Sequence, residues 1–313
     1  MEIGKKGAFF TLTALVMVSI LFLVAQTNFD ISKQNNSFIL RDRITTIDHF
    51  VHDLERDIER GTRIATQRGL LGIQQQVTSE GNFLENKNKA FSEIIINGTY
   101  NNSELASMED SNLKSWFERI NRQANKMSIH VNYTINNVSV KHINPWNIQV
   151  KLNFSLNVSE KNGFAYWVRE KTMKTNLSII GYEDPLYNVE SKGRLTYPIR
   201  QTNVTTFVDG NNTSGLLEHF DNHYYKRSDS APSFLMRLER NLSHSPNGIE
   251  SIVDLTKMEY MGLSTKNKSV IDHIYFSEQD PETWVINNTY DWLRIDNQSG
   301  RLKDYQIEEE LLI

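Results

Sequence analysis

The chain contains no cysteine, which excludes disulfide staples, thiol nucleophiles and cysteine metal sites and leaves packing alone to hold it together. Proline is scarce and late: there are six, and the first is Pro145, so no residue before it forbids a long helix. Neither sign of charge dominates, with 34 Lys and Arg against 38 Asp and Glu and a net charge of -4. Neither a strongly basic nor a strongly acidic partner is implied, and no basic patch interleaved with aromatics points to nucleic acid. Glycine is spread thinly, and Gly61, Gly69 and Gly72 have neither dinucleotide nor P-loop spacing. There is no Gly-X-Ser-X-Gly elbow, internal repeat or low-complexity tract, and no cofactor is indicated.

What is present begins with one long apolar run. Ala8 to Ala25 carries no charge and no proline, and at ~1.5 Å rise per helical residue it nearly covers the ~30 Å hydrocarbon core of a bilayer. This predicts a transmembrane helix over 8–26, with the lipid bilayer as a partner. Lys5 and Lys6 flank its start, whereas Gln26-Thr27-Asn28-Phe29-Asp30 has no basic residue. The positive-inside rule then puts residues 1–7 in the cytoplasm and the bulk of the chain outside the cell. Bulky Leu23, two positions before Ala25, argues against secretory cleavage.

The short leader ending Lys5-Lys6-Gly7 directly against the apolar helix resembles that of archaeal class III signal-peptide proteins, the type IV pilin-like group. The resemblance covers about the first tenth of the chain. It implies cleavage between Gly7 and Ala8 by a prepilin-type peptidase, with other pilin-like subunits or self as partners. Many members carry Glu at the fifth position after the junction, where this chain has Leu12. The same residues also read as an uncut single-span anchor. Asp184-Pro185-Leu186-Tyr187 and Ile274-Tyr275-Phe276 are similar to stretches in uncharacterised archaeal membrane-anchored proteins, which implies kinship and no activity.

Beyond Asn35-Asn36-Ser37, the residues Leu40, Ile44, Ile47, Val51, Leu54 and Ile58 step by fours and threes, the spacing of an amphipathic helix. The glycines at 61, 69 and 72 are expected to weaken its continuation. A shorter helix around Ala90 to Ile96 and a clearer one over 108–127 follow, the latter with Trp116 and Phe117 on its apolar face and Ser111 as N-cap. From Ile129 the period changes to two. Val131, Tyr133 and Ile135 alternate with polar residues, then Val138 and Val140, then Ile148, Val150, Leu152, Phe154, Leu156 and Val158. A third strand is predicted over 164–180, with turns at Asn144-Pro145 and Lys161-Asn162-Gly163. After the proline turn at Pro185 the pattern loosens. Short helices are predicted over 216–225 and 232–242, and short elements over 249–255, 269–276 and 290–295.

Fifteen Asn-X-Ser/Thr triplets occur where composition alone gives roughly five. Asn132, Asn137, Asn153, Asn157 and Asn176 fall opposite the apolar residues of the strands, and with Asn203 they are the glycosylation candidates. His219 and His223, spaced i,i+4 beside Glu218, are a weak metal candidate, because Phe220 stands where a zincin has Glu. His49 and His52 read as a solvated patch on the long helix. The acidic neighbours Glu183/Asp184 and Asp280/Glu282 sit beside prolines in turns, where Asp is common anyway.

With 10% aromatics and a mean hydropathy of -0.49, the part beyond the anchor is expected to fold. The expected fold class is α+β: an N-terminal transmembrane helix continuing into a long amphipathic helix, then an antiparallel β-sheet ectodomain with short helices. The expected divisions are 1–7 leader, 8–26 transmembrane helix, 38–128 helical spine, 129–191 β-meander and 192–313 C-terminal α+β subdomain. The function expected is that of a pilin-like, membrane-anchored structural or adhesive glycoprotein without catalysis. The alternatives are an anchored sensor or binding ectodomain with a cleft after Ser191, and, resting only on His219 and His223, an anchored metallohydrolase.

Overall fold

A computed structural model describes residues 3–313, with side chains described for 15–26 and 38–313. One helix, α1 (Ile3–Glu80), takes up the first 78 described residues and extends about 117 Å at ~1.5 Å per residue. It passes through the three glycines without a break, contrary to the expectation of weakening there. Each glycine sits where a neighbour presses close. A Cβ at Gly61 would lie 3.3 Å from the Trp116 indole, one at Gly69 3.2 Å from Ile94, and one at Gly72 2.7 Å from the Ser107 hydroxyl. Tertiary packing against a bare backbone outweighs helix propensity here. Ile47, Val51, Leu54 and Ile58 of the predicted stripe are buried, and Ala65, Leu70, Ile73 and Val77 extend it; Leu40 and Ile44, below the head, are exposed.

Among the described residues no helix is long and apolar enough to cross a membrane. Residues 8–14 of the expected span have side chains outside the described set. The remaining residues 15–26 are all exposed and amount to roughly 18 Å of helix against a ~30 Å hydrocarbon core.

Two helices pack beside the upper part of α1. The first, α2 (Lys87–Asn97), is capped by Asn86, whose side chain accepts from the Lys89 N–H, and by Gly98 in the left-handed region at φ 77°. A short hairpin, β1 (Thr99–Tyr100) with β2 (Ser103–Glu104), follows. The second helix, α3 (Leu113–Lys126), is capped by Asn112 and not by the expected Ser111, whose hydroxyl instead accepts from Arg68 at 2.6 Å. Phe117 is buried on it and stacks on Tyr133 at 3.7 Å between ring centroids.

The sheet is an antiparallel meander of β3 (Ile129–Asn144), β4 (Asn147–Glu160) and β5 (Tyr166–Ser178), in that spatial order. A register shift between Ile135 and Asn137 explains the phase change in the sequence. One extra residue bulges out, so Val138 and Val140 return to the core face that Ile135 left. That face packs on the helices. The Trp167 indole donates to Asp48 at 3.1 Å, Lys171 pairs with Glu55, and the Tyr182 hydroxyl reaches the Gln67 carbonyl at 3.4 Å. β5 therefore climbs alongside α1 in the same direction.

The chain from 179 onward forms the rest of the head from short pieces: α4 (Pro185–Glu190), α5 (Ser214–Asp221), β6 (Lys226–Arg227), α6 (Phe234–Arg237), β7 (Ile249–Glu250), α7 (Leu255–Tyr260), α8 (Asp272–Tyr275), β8 (Thr283–Val285), β9 (Arg294–Asp296) and α9 (Arg301–Asp304). β6 pairs with β7 and β8 with β9, each antiparallel. The coarse class, α+β with antiparallel sheets and several helices, is the expected one. The meander's last strand ends at Ser178, and Asp184 bonds Arg237 of the later part. This part docks on the start of α2 and on the end of β3. The Leu84 N–H donates to the Leu238 carbonyl at 2.8 Å, Lys87 pairs with Glu239 at 2.6 Å, and the Leu235 N–H donates to His142 Nε2 at 3.2 Å.

Candidate functional site

The most concentrated chemistry in the head is a buried charge network inside the C-terminal part. Arg237 is fully buried in α6 and donates through Nη1 to Asp184 at 2.6 Å and Asp272 at 2.9 Å, and through Nη2 to the Ile249 carbonyl. Asp184 caps α4 by accepting from the Leu186 N–H and also accepts from the Tyr225 hydroxyl at 2.9 Å. Asp272 accepts from both the N–H and the hydroxyl of Ser251, and Tyr187 shares a hydrogen bond with that hydroxyl at 3.0 Å. On the far side of Asp272, His273 Nδ1 lies 3.2 Å from its carboxylate, while Nε2 faces Arg301 at 3.4 Å. Arg301 pairs with Asp296, which also holds the Ser269 hydroxyl at 2.5 Å, and lies 3.5 Å from Glu250. Glu250 in turn lies 3.6 Å from Lys226, whose ammonium sits 4.0 Å over the Tyr305 ring.

Four carboxylates and three cationic side chains thus share one dry interior, where unpaired charge is costly. The two acids on Arg237 are not equivalent. Burial pushes the Asp184 carboxyl up, with Arg237 only partly offsetting it. Burial acts on Asp272 too, but Arg237 and the donors of His273 outweigh it and hold that carboxyl well below the usual range. Burial likewise lowers the Lys226 ammonium. An arginine can only donate, so the geometry suits the His273 tautomer with its proton on Nδ1, donating to Asp272 and accepting from Arg301. Ser251, His273 and Asp272 are close together yet are not a nucleophile relay. The Ser251 hydroxyl bonds the carboxylate instead of the imidazole, and all three are buried. The arrangement ties together segments that have little regular structure of their own.

The sequence candidates fall elsewhere. His219 and His223 do not share a helix face: α5 ends at Asp221, and His223 follows it in the left-handed region at φ 51°. His219 is buried, not on a solvated face, with Nδ1 3.2 Å from the Thr202 hydroxyl, and burial beside Lys226 pulls its imidazole down to about 3. His223 packs against Tyr197 at 4.2 Å between ring centroids. Among the described residues no cluster of three His, Cys, Asp or Glu is arranged to hold a metal. His49 and His52 are exposed on α1, with His52 3.7 Å from Asp48. Gly7 and Ala8 lie within α1, and their side chains are outside the described set. Asn132, Asn137, Asn157, Asn176 and Asn203 are exposed and Asn153 is half-buried.

An open groove of about 980 Å³ lies in the part after Ser191, lined by Val208, Asp209, Trp284, Lys303, Gln306 and Glu308 among others. It does not include the charge network. As a network it escaped sequence reasoning, which named Asp184 only as a turn residue beside Pro185, although it left a signal. Arg237 interrupts Phe234-Leu235-Met236, Glu250 follows Ile249, and Asp272-His273 splits Val270-Ile271 from Ile274-Tyr275. A lone charge inside an apolar run is one that must find a partner. Comparison with protein families, with curated proteins and with solved structures finds no match to this chain.

Proposed function

We propose that the protein is a membrane-anchored surface scaffold of the pilin-like kind, which holds a folded head outside the cell for contact or assembly. The observation that carries this reading is α1 itself. One unbroken helix passes from an apolar segment whose described residues 15–26 are all exposed, through the exposed Phe38, Ile39 and Leu40, into the core of the head. Leu15, Met17, Leu21 and Phe22 point outward around that segment with about two thirds of their surface uncovered. Such surface is stable in lipid or against other apolar helices. The interior charge network supports a scaffold role, since its charges face one another and none lines the groove beside Trp284.

The test is protease treatment of intact cells combined with mass measurement of the native N-terminus. The reading expects the head to be removed from intact cells and the chain to begin at Ala8; a chain still carrying Met1 leaves an anchor without pilin-type processing. Protection of the head in intact but not in permeabilised cells would overturn the outward placement. A second reading, a binding ectodomain, is favoured by the groove beside Trp284, whose half-buried indole stands among carboxylates and amides. Retention of the protein on a glycan array that is lost in Trp284→Ala would support it.

A further inference from the structure

The outer face of the sheet is built largely from sequons. In a strand, residues two apart share a face, so an Asn and the hydroxyl two positions on emerge together. Five such pairs occupy this one face: Asn132 with Thr134, Asn137 with Ser139, Asn153 with Ser155, Asn157 with Ser159, and Asn176 with Ser178. The register sets Asn132 directly opposite Asn157 and Asn137 directly opposite Asn153. Where these carboxamides make hydrogen bonds, they use the oxygen: Asn153 accepts from Thr172 at 2.8 Å and Asn176 from Gln149 at 2.9 Å. The nitrogen, which is the atom a sugar would take, is not used in either bond. On this face the Ser155 hydroxyl accepts from Asn136 and the Ser178 hydroxyl from the Ile180 N–H, whereas several sequons elsewhere spend the hydroxyl as a donor within the fold, two of them deeply. Ser269, two after Asn267, is bound to Asp296 in the core, and Thr213, two after Asn211, donates to the Asn288 carbonyl.

We propose that this sheet face carries N-linked sugar, at Asn153 and Asn157 of the central strand and at Asn132, Asn137 and Asn176 of its neighbours, attached before the sheet closes. The inference rests on the outward placement proposed above. The co-reactant is a lipid-phosphate-linked oligosaccharide. The Asn Nδ2 forms a bond to sugar C1, the bond from C1 to the lipid phosphate oxygen breaks, and one amide proton leaves to a base. The order follows from β4, whose backbone is paired on both edges. A transferase that must take hold of the Asn, the hydroxyl and the backbone between them finds that backbone already engaged in the finished sheet.

Glycopeptide mass mapping of the protein from its own membranes, read beside protease accessibility on intact cells, tests the sites. Sugar on Asn153 and Asn157, lost in Ser155→Ala and Ser159→Ala with the Asn side chains intact, is the expected result. A protease-accessible head bare at all five positions overturns the inference and leaves the outward placement standing, whereas a protease-shielded head overturns both. For the order, membranes supplying the lipid-linked donor are incubated with purified full-length chain, folded or unfolded in mild denaturant. Transfer to Asn153 and Asn157 at least tenfold greater on the unfolded chain is expected. Equal transfer to both forms overturns the order.

Discussion

Asp184 and Asp272 share one arginine, and their unequal environments make a sharp prediction at the scale of single residues. Asp272 is the better-held anion, with Arg237, Ser251 and His273 around it. Asp272→Asn leaves Arg237 short of charge in a dry interior and should cost about 3 to 5 kcal/mol, the range for breaking a buried pair. Asp184, whose ionised form is disfavoured by burial, should tolerate Asn at about 1 to 2 kcal/mol. Urea unfolding at pH 7 checks the order, and an Asp184→Asn variant less stable than Asp272→Asn would contradict it.

His219 makes a second prediction. Its imidazole has an ordinary value of 6.5 and falls to about 3 in the fold, because burial and Lys226 disfavour the charged form. A base lowered by folding binds its proton more readily unfolded. Its contribution is therefore complete above 6.5 and is lost as pH falls from 6.5 toward 3, at about 1.4 kcal/mol per pH unit. Burial depresses His142 and His223 in the same sense. Unfolding midpoints measured from pH 7 to pH 4 should fall, and the fall should be shallower in His219→Gln.

At the scale of elements, what was legible depended on how many residues repeat the same signal. The alternation over 148–158 marks β4 because each apolar side chain faces one core, and the break between Ile135 and Val138 records a real bulge. The stripe from Ile47 to Ile58 was legible for the same reason. The glycines misled because local propensity ignores the indole and isoleucines that press on them. Helices expected over 216–225 and 232–242 shrink to 214–221 and 234–237. His223 and Arg240 take left-handed backbone just beyond, local turn bonds close both ends, and the Tyr225 N–H donates to the Arg200 carbonyl instead of a helical one. The charge network joins residues from 184 to 301 and has no period to read, though Arg237, Glu250 and Asp272 marked themselves by interrupting apolar runs. One element-scale prediction concerns Gly98, which ends α2 at φ 77° with Asn112 packed against its open side. Gly98→Ala should cost about 1 to 2 kcal/mol from left-handed backbone alone, read as a lowered urea midpoint. A Cβ there would also stand 2.9 Å from the Asn112 amide nitrogen, and Asn112 caps α3.

At the scale of the whole molecule, two unlike parts share one hydrophobic core and are tied besides by a few polar contacts. A sheet on three helices forms the lower head, and a loop-rich part organised on internal charge forms the remainder. Leu84, Lys87 and His142 hold them together through Leu238, Glu239 and Leu235. Loss of the Lys87 to Glu239 pair should loosen the polar part of this joint before the core itself. Glu239→Ala is expected to raise amide exchange over residues 234–242 more than at Leu152 or Phe154 in the sheet, as followed by hydrogen exchange mass spectrometry.

The buried stripe on α1 runs from Ile47 to Val77, roughly 45 Å of axis at ~1.5 Å per residue. The same rod continues downward out of the head. A pull on its lower end, directed along the rod, would therefore bear on every layer of that stripe at once and slide it against the sheet, a shearing geometry in which the bonds must give way together. A sideways pull would peel the layers one after another from Ile47 upward. The head is thus built to stay on its stem when the stem is stretched, and to come away more readily when it is bent.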